Sequence, residues 1–537
     1  MKKYFPLFSI LITQTAFSQN YNITLAAKLS YGTESLSNIC GWVDPDDGKE
    51  YALVGAQKGL SIVDVSVPTN PVKITQIPGP SSSWREIKTN GHYAYVTTES
   101  GTVGLQIVDL SNLPATNLTV ATWKPTINSE TLQTIHALHI DNGRVYLYGS
   151  NIGSGGAIIA DIKTDPMAPK YLGYYDTKYV HDGYVRNDTM YACHIMDGYC
   201  AIVDAKNPAT PKVLTTFSTP NNFTHNSWLT KSGKTCLTTD EKSNSFLTSY
   251  DISDLNNVTE VDRMQTNPGS KSVVHNTHIL QKGEVDYAVT SWYTEGINIV
   301  DAGRPGNLVE VGRYDTYNGF SSAMNGCWGV YPFLPSGTIV ASDISGGLFV
   351  LTPTYVRACY VEGIVKDCKT NAALTGVTVT LKITSPTSDS YQDITDFAGK
   401  YGVGIVTPNT YQIIFSKTGY ISDTQTVVLT PGMVTPLDII LCTTQISVND
   451  IYSNVSTSFN PNPVNSGSEM IFMIEGYDLG ITKPVLQIFD LLGKQVYIHQ
   501  INSKRDILNL PIANGMFLYK VTDKEGGVIS QGKLCAE

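Results

Sequence analysis

Four histidines, His136, His181, His225 and His275, follow one another at spacings of 45, 44 and 50 residues, and each opens a short strand-like run. Imidazole is the commonest side-chain ligand for zinc, copper or iron, and three or four imidazoles around one point make a metal site. Trp84 and Trp328 hold the same position in two further repeats, so histidine there is not demanded by the repeat itself. The plain alternative is a histidine that only hydrogen-bonds the backbone of the neighbouring repeat. Loops expected on the same side carry Glu99, Asp240, Glu241, Glu295 and Asp343, available as further ligands or as acceptors behind the imidazoles. Trp84, Arg85, Glu99, Asp240, Glu241, Trp292, Glu295 and Trp328 form a candidate ligand face of aromatic and charged groups. Ligation needs neutral imidazoles, so metal binding is expected to weaken as pH falls through about 6.5.

Such residues converge only if the strands that carry them converge. A phrase recurs along the chain: GLSIVDVSVPTNP from Gly59, GLQIVDLSNLP from Gly104, GAIIADIKTDP from Gly156, YCAIVDAKNP from Tyr199, FLTSYDISDLNN from Phe246 and GINIVDAGRPGN from Gly296. Its aspartates, Asp64, Asp109, Asp161, Asp204, Asp251 and Asp301, are 45, 52, 43, 47 and 50 residues apart. A β-type repeat of roughly 40–50 residues marks a propeller, one blade per repeat. Each repeat holds four short strand-like runs, and the inner ones fall around Gly41, Trp84, His136, His181, His225, His275 and Trp328. That predicts seven blades over residues 21–354. The last blade lacks an outer strand, and NITLAAKLSY from Asn22 has no inner strands before it, so the N-terminal strand is expected to complete blade seven. The repeated aspartate, followed by Ser, Asn or Pro, fits a side-chain-capped turn rather than catalysis.

The repeat, together with GWVDPDDGKEYALVG from Gly41, SSWREIKTNGHYAYV from Ser82, and GCWGVYPFLPSG with SDISGGLFVL from Gly326 onward, resembles the choice-of-anchor B family, exported bacterial propellers. From Val361, VEGIVKDCKTNAALTGVTVTL, then DFAGKYGVGIV, TYQIIFSKTGY and LDIILC resemble the carboxypeptidase regulatory-like domain over 355–443. That resemblance implies a transthyretin-like β-sandwich, with no peptidase centre, serving as stalk or spacer. FNPNPV from Phe459, VLQIFDLLGKQV and LNLPIANGMFLYKVTDKEGGVISQGKL resemble a type IX secretion sorting domain of the Bacteroidetes over 451–537, which implies the type IX machinery as a partner. The expected fold is all-β: a seven-bladed propeller followed by two small β-sandwiches.

Lys2 and Lys3 before an apolar run to Ile12, with Ala16-Phe17-Ser18 behind it, read as a secretory signal over 1–18. No segment is long and apolar enough for a membrane span. The chain is thus expected at the cell surface or in the medium. A net charge of −10 without a basic cluster argues against nucleic acid. Nine cysteines in an exported chain permit disulfides without fixing their pairing: Cys193 and Cys200 face each other on one hairpin, and Cys359, Cys368 and Cys442 share the downstream domain. Asp44-Pro45-Asp46-Asp47-Gly48 has calcium-loop composition but hairpin spacing. Three functions stay open: a surface binding module for a glycan, peptide or protein; a metal-dependent oxidase or hydrolase holding Zn, Cu or Fe on the histidines; and a structural surface-layer protein.

Overall fold

Short runs of alternating or wholly apolar residues, punctuated every few positions by Gly, Asn, Asp and Pro, leave the chain no length in which to build a helix, and the computed structural model is all-β. It describes residues 20–537 except 272, 318, 320–323, 383–389, 444–453, 466, 481–482 and 525. The signal expected over 1–18 and the start of the segment expected from 451 lie outside the described residues. Contacts divide the chain into two units. One holds the propeller and the sandwich after it, through Leu441. The other holds Gly419–Ile421 with Cys442–Glu537.

In the first unit, seven four-stranded antiparallel sheets follow in order, over 36–78, 87–123, 137–175, 182–218, 224–264, 277–314 and 327–353. The last has three strands of its own and takes Ile23–Leu29 as its fourth, paired antiparallel to Gly347–Pro353. These sheets are the blades of a propeller. The innermost strands are Leu36–Val43, Ile87–Asn90, Ala137–Asp141, Asp182–Arg186, Thr224–Leu229, Thr277–Lys282 and Cys327–Tyr331. The IVD phrase forms the third strand of blades one to six, and its apolar residues fill the layers between blades: Ile62, Ile107, Ile159, Ile202 and Ile299 are essentially inaccessible. All six repeated aspartates accept the backbone N–H two residues ahead, at 2.7–3.0 Å, as turn caps do. Blades one and seven meet so closely that a Cβ added at Gly41 would lie 2.3 Å from the Tyr331 ring.

After the last blade the chain enters a sandwich of two sheets, Lys400–Ile405, Cys359–Asp367 and Val434–Pro436 on one side and Ser390–Ile394, Thr378–Lys382, Thr410–Ser416 and Asp423–Val428 on the other. It is docked on blade six rather than hung from a loose linker. Arg304 pairs with Glu362, Arg357 Nε donates to Asp301 Oδ2 at 2.8 Å, and the Asn307 amide reaches Glu362 at 3.2 Å. Cys368 and Cys442 are disulfide-bonded, whereas the other seven cysteines, Cys193 and Cys200 among them, are free thiols.

The second unit packs a three-stranded sheet (Ser456–Asn460, Glu469–Glu475, Arg505–Asn509) against a four-stranded one (Gln495–Gln500, Val485–Phe489, Gly515–Thr522, Val528–Ala536). Phe472, Leu486, Ile488, Val521 and Leu534 lie between them. No helix among the described residues is long and apolar enough to cross a membrane.

Candidate functional site

Each inner strand starts at one end of the propeller axis, and its start is held by the preceding blade. The Thr97 hydroxyl donates to the His136 carbonyl, Thr239 to that of His275 and Ser291 to that of Trp328. The side chains are thereby presented in sequence around the axis. The rings of His136 and His181 are 4.0 Å apart between centroids, those of His181 and His225 4.7 Å, and those of His225 and His275 4.2 Å. The four imidazoles form an arc across four adjacent blades. His136 Nε2 and His181 Nε2 approach to 3.1 Å, near the spacing of about 3.3 Å that two nitrogens take on one tetrahedral ion at 2.0–2.1 Å.

In two of the four rings the outward nitrogen has a partner that fixes the tautomer. His136 Nδ1 donates to Glu99 Oε1 at 2.5 Å, and His275 Nδ1 donates to the Trp328 carbonyl at 2.6 Å. The backbone-bonding alternative therefore describes one nitrogen of His275, while its Nε2 still faces the centre, 3.8 Å from Glu241 Oε1. Glu241 Oε2 is 3.7 Å from His225 Nε2, and the Tyr293 hydroxyl donates to Glu241 Oε1 at 2.6 Å. His181, His225 and Glu241 offer ligand atoms that all lie within 4.8 Å of one another. His225 Nδ1 is buried without a partner. Burial, reinforced by neighbouring imidazoles, holds His225 and His275 down at about 3 and His181 well below the ordinary histidine value. These rings are neutral at physiological pH, with lone pairs free for a cation.

Other residues of the expected ligand face take different places. Trp84 is 45% exposed and meets Trp328 edge-on, ring centroids 6.3 Å apart, so this pair rims the opening. Arg85 turns back into the fold, its guanidinium donating to the carbonyl of Ala56, at the end of a blade-one strand, and to that of Pro80 in the loop before its own strand. Trp292 is fully buried in the layer between blades. Asp240 is taken up by the Thr219 hydroxyl and the N–H groups of Asn221 and Phe223, and Asp343 by Thr316, Ser345 and Gly346. Glu295 accepts from the Asn267 amide. Of the five loop carboxylates only Glu99 and Glu241 join the histidines. The turn residues carry their own unpaired N–H groups, and these claim the other acids first.

Below the imidazoles the channel holds a polar layer that the repeat pattern does not flag. A small opening is lined by Trp84, Trp328, His136, His225 and His275 and by Asn38, Glu86, Asp182 and Asn276. Glu86 takes the Lys88 ammonium and the Asn38 amide in close contacts, and Asp182 accepts from Asn226 Nδ2 at 2.7 Å. Burial pushes both carboxyls up. The signal was a dipeptide: His181-Asp182, His225-Asn226 and His275-Asn276 each set a carboxylate or amide after the histidine. In blade five a register shift between Thr224 and Asn226 turns the two neighbours into the channel together. Deeper still, Trp228 packs against His278, Tyr184 and Phe333 with centroids 4.5–5.9 Å apart, closing the axis with aromatic rings.

A second trio, Asp44, Asp46 and His92, also lies within 4.8 Å. Asp44 Oδ1 already accepts the Asp46 N–H, and Gly48 N–H closes on the Asp44 carbonyl, which is the hairpin turn expected from the spacing.

Two stretches, 49–76 and 83–121, match the LVIVD repeat, and 360–441 match the carboxypeptidase regulatory-like domain. No curated protein matches the chain. Among solved structures, the β-propeller domain of Myceliophteria thermophila Cps50 (Swd1) is 11% identical with a TM-score of 0.44, over 62% of this chain and 100% of that one. The computationally designed Ika8 protein is 11% identical with a TM-score of 0.38, over 62% and 97%. A putative 6-phosphogluconolactonase from Bacteroides uniformis is 13% identical with a TM-score of 0.42, over 59% and 94%.

Proposed function

We propose that this β-propeller repeat protein is a binding module whose axial mouth holds a transition-metal ion. The observation that carries the reading is the arc of four imidazoles facing two carboxylates with no lysine or arginine paired to either, among the described residues. Glu241 is half-buried and Glu99 lies at the solvent edge, and a divalent ion would use these carboxylates together with the Nε2 lone pairs. His181, His225 and Glu241 are the central ligands, with His136 and His275 on either side. Glu99, the Trp328 carbonyl and Tyr293 hold the ligands in place from behind. Imidazole with one carboxylate suits zinc, copper or iron. His225 also lines the axial opening, so an ion held there would be reachable by a small substrate, which would support an oxidase or hydrolase reading.

Elemental analysis after loading with zinc, copper or iron tests this. Near-stoichiometric metal is expected in the parent and loss of most of it in His181→Ala/His225→Ala, with the near-ultraviolet spectrum of the propeller unchanged. Equal, near-zero metal in both would leave a glycan-, peptide- or protein-binding face, or a structural surface-layer role, as the better reading. The pH profile adds a second measurement. With His225 and His275 held at about 3, metal should be retained on acidification from pH 7 to about 5; release centred near 6.5 would mark ordinary, solvated imidazoles.

The reading places the protein outside the cell, exported by its first 18 residues and passed to type IX machinery by 451–537. Removing 451–537 should leave a folded propeller trapped in the periplasm. Truncated protein found at the surface or in the medium would refute the sorting role.

A further inference from the structure

We propose that the floor of the axial opening binds a small primary amine as its ammonium ion, held by Asp182 and Asn276, with its alkyl stem along the Trp84–Trp328 rim. This goes beyond the metal reading, since neither floor residue is among the proposed ligands of the ion.

The charges on the floor are unequal. Glu86 has its own cation, the Lys88 ammonium, and the Asn38 amide as well. Asp182 has only neutral donors, Asn226 Nδ2 at 2.7 Å and the Gly183 N–H at 2.7 Å; Lys88 acts on it at longer range. A carboxylate in this position keeps acceptor capacity on both oxygens. Two blades on, Asn276 lines the same opening, is 3% exposed, and its Oδ1 is buried without a hydrogen-bond partner. An unpaired buried carbonyl is expensive unless something donates to it. The floor thus offers one carboxyl with no cation in contact and one idle acceptor, and a monocation with several N–H donors suits both.

Size and rim choose among such monocations. The enclosed part of the opening is about 20 Å³, room for about one water-sized group, so an ammonium head fits the floor and an alkyl stem must lie outward along the rim. The Trp84 and Trp328 rings touch edge-on, with centroids 6.3 Å apart, and form one side of the rim, where an indole face attracts an ammonium group and an alkyl stem packs against it.

Titration calorimetry on the full chain, chelated or metal-loaded, tests the proposal with propylammonium chloride as the probe, beside potassium chloride and 1-propanol. Saturable propylammonium binding is expected, weakened at least tenfold by Asp182→Asn, which keeps the shape and removes the charge. Trp84→Ala, at an exposed position, is expected to weaken it about threefold or more without changing the melting temperature. Three results would overturn the proposal: no saturable binding in either form, undiminished binding in Asp182→Asn, or equal competition by potassium. Binding to chelated protein that retains no metal on loading would sustain the amine site while the metal reading fails, and metal uptake without amine binding would do the reverse.

Discussion

Deleting residues 20–31 is expected to destabilise the propeller by on the order of 5–8 kcal/mol, enough to unfold it or drive it into aggregates. Ile23–Leu29 makes six backbone pairings with Gly347–Pro353, each net hydrogen bond worth about 1 kcal/mol. Ile23 is buried among Val311, Phe349 and Leu351, a side chain worth about 2–3 kcal/mol. The same segment also ties blade seven to blade six: Tyr21 donates to Glu310 at 2.7 Å and Asn22 Nδ2 to the Val311 carbonyl at 2.7 Å. Against a typical domain stability of about 5–15 kcal/mol the loss is most of the total. The freed edge of blade seven would then be open to pairing with other chains. Urea denaturation of protein starting at residue 32 beside protein starting at residue 20 measures it. Coincident midpoints would mean that the ring does not depend on this closure.

The second large effect is expected at Asp301, because that residue serves two structures at once. Its Oδ1 caps the turn at Gly303, like the aspartate of every other complete repeat, while its Oδ2 accepts from Arg357 Nε at 2.8 Å and from the Ala358 N–H at 3.0 Å. Asp301 is inaccessible, but Arg357 is about one-third exposed, so the ion pair is only partly shielded from solvent. Asp301→Ala is expected to cost about 2–4 kcal/mol, since it strands a buried N–H and an arginine. Asp204→Ala removes only the turn cap to Lys206 and should cost about 1 kcal/mol. Denaturation midpoints of the two variants, with trypsin cleavage at Arg357 as the local readout, separate the effects. Equal costs, or unchanged cleavage in Asp301→Ala, would mean that the sandwich is held by its other contacts.

The repeat phase told the strand order, the turn role of the six aspartates and the place of the four histidines, because a propeller puts equivalent positions at equivalent heights. It also told where the ring closes, through an outer strand with no sheet of its own before it. What escaped were residues whose role depends on side-chain direction. Arg85 adjoins Trp84 and looks like a ligand arm, yet the carbonyls of Ala56 in blade one and of Pro80 take its guanidinium. Trp292 begins a mouth loop, yet its ring packs into the layer between blades. Asp182 and Asn276 were hidden for the opposite reason. Strict strand alternation assigns a histidine and its successor to opposite faces, and an inner strand bordering a channel does not obey that rule at its first residues. Tyr293, which steadies Glu241, has a positive φ of 32° that no sequence pattern announces.

The double use of Asp301 also gives the molecule a direction. The third strand of each blade leaves the mouth loops, which carry Glu99 in blade two and Glu241 in blade five, and runs to its aspartate at the far end. The sandwich is fastened at that far end, beneath blade six. The opening and the sandwich therefore occupy opposite poles of the propeller. A molecule tethered through its sandwich presents an upturned cup, its rim clear of the tether and open to whatever diffuses past.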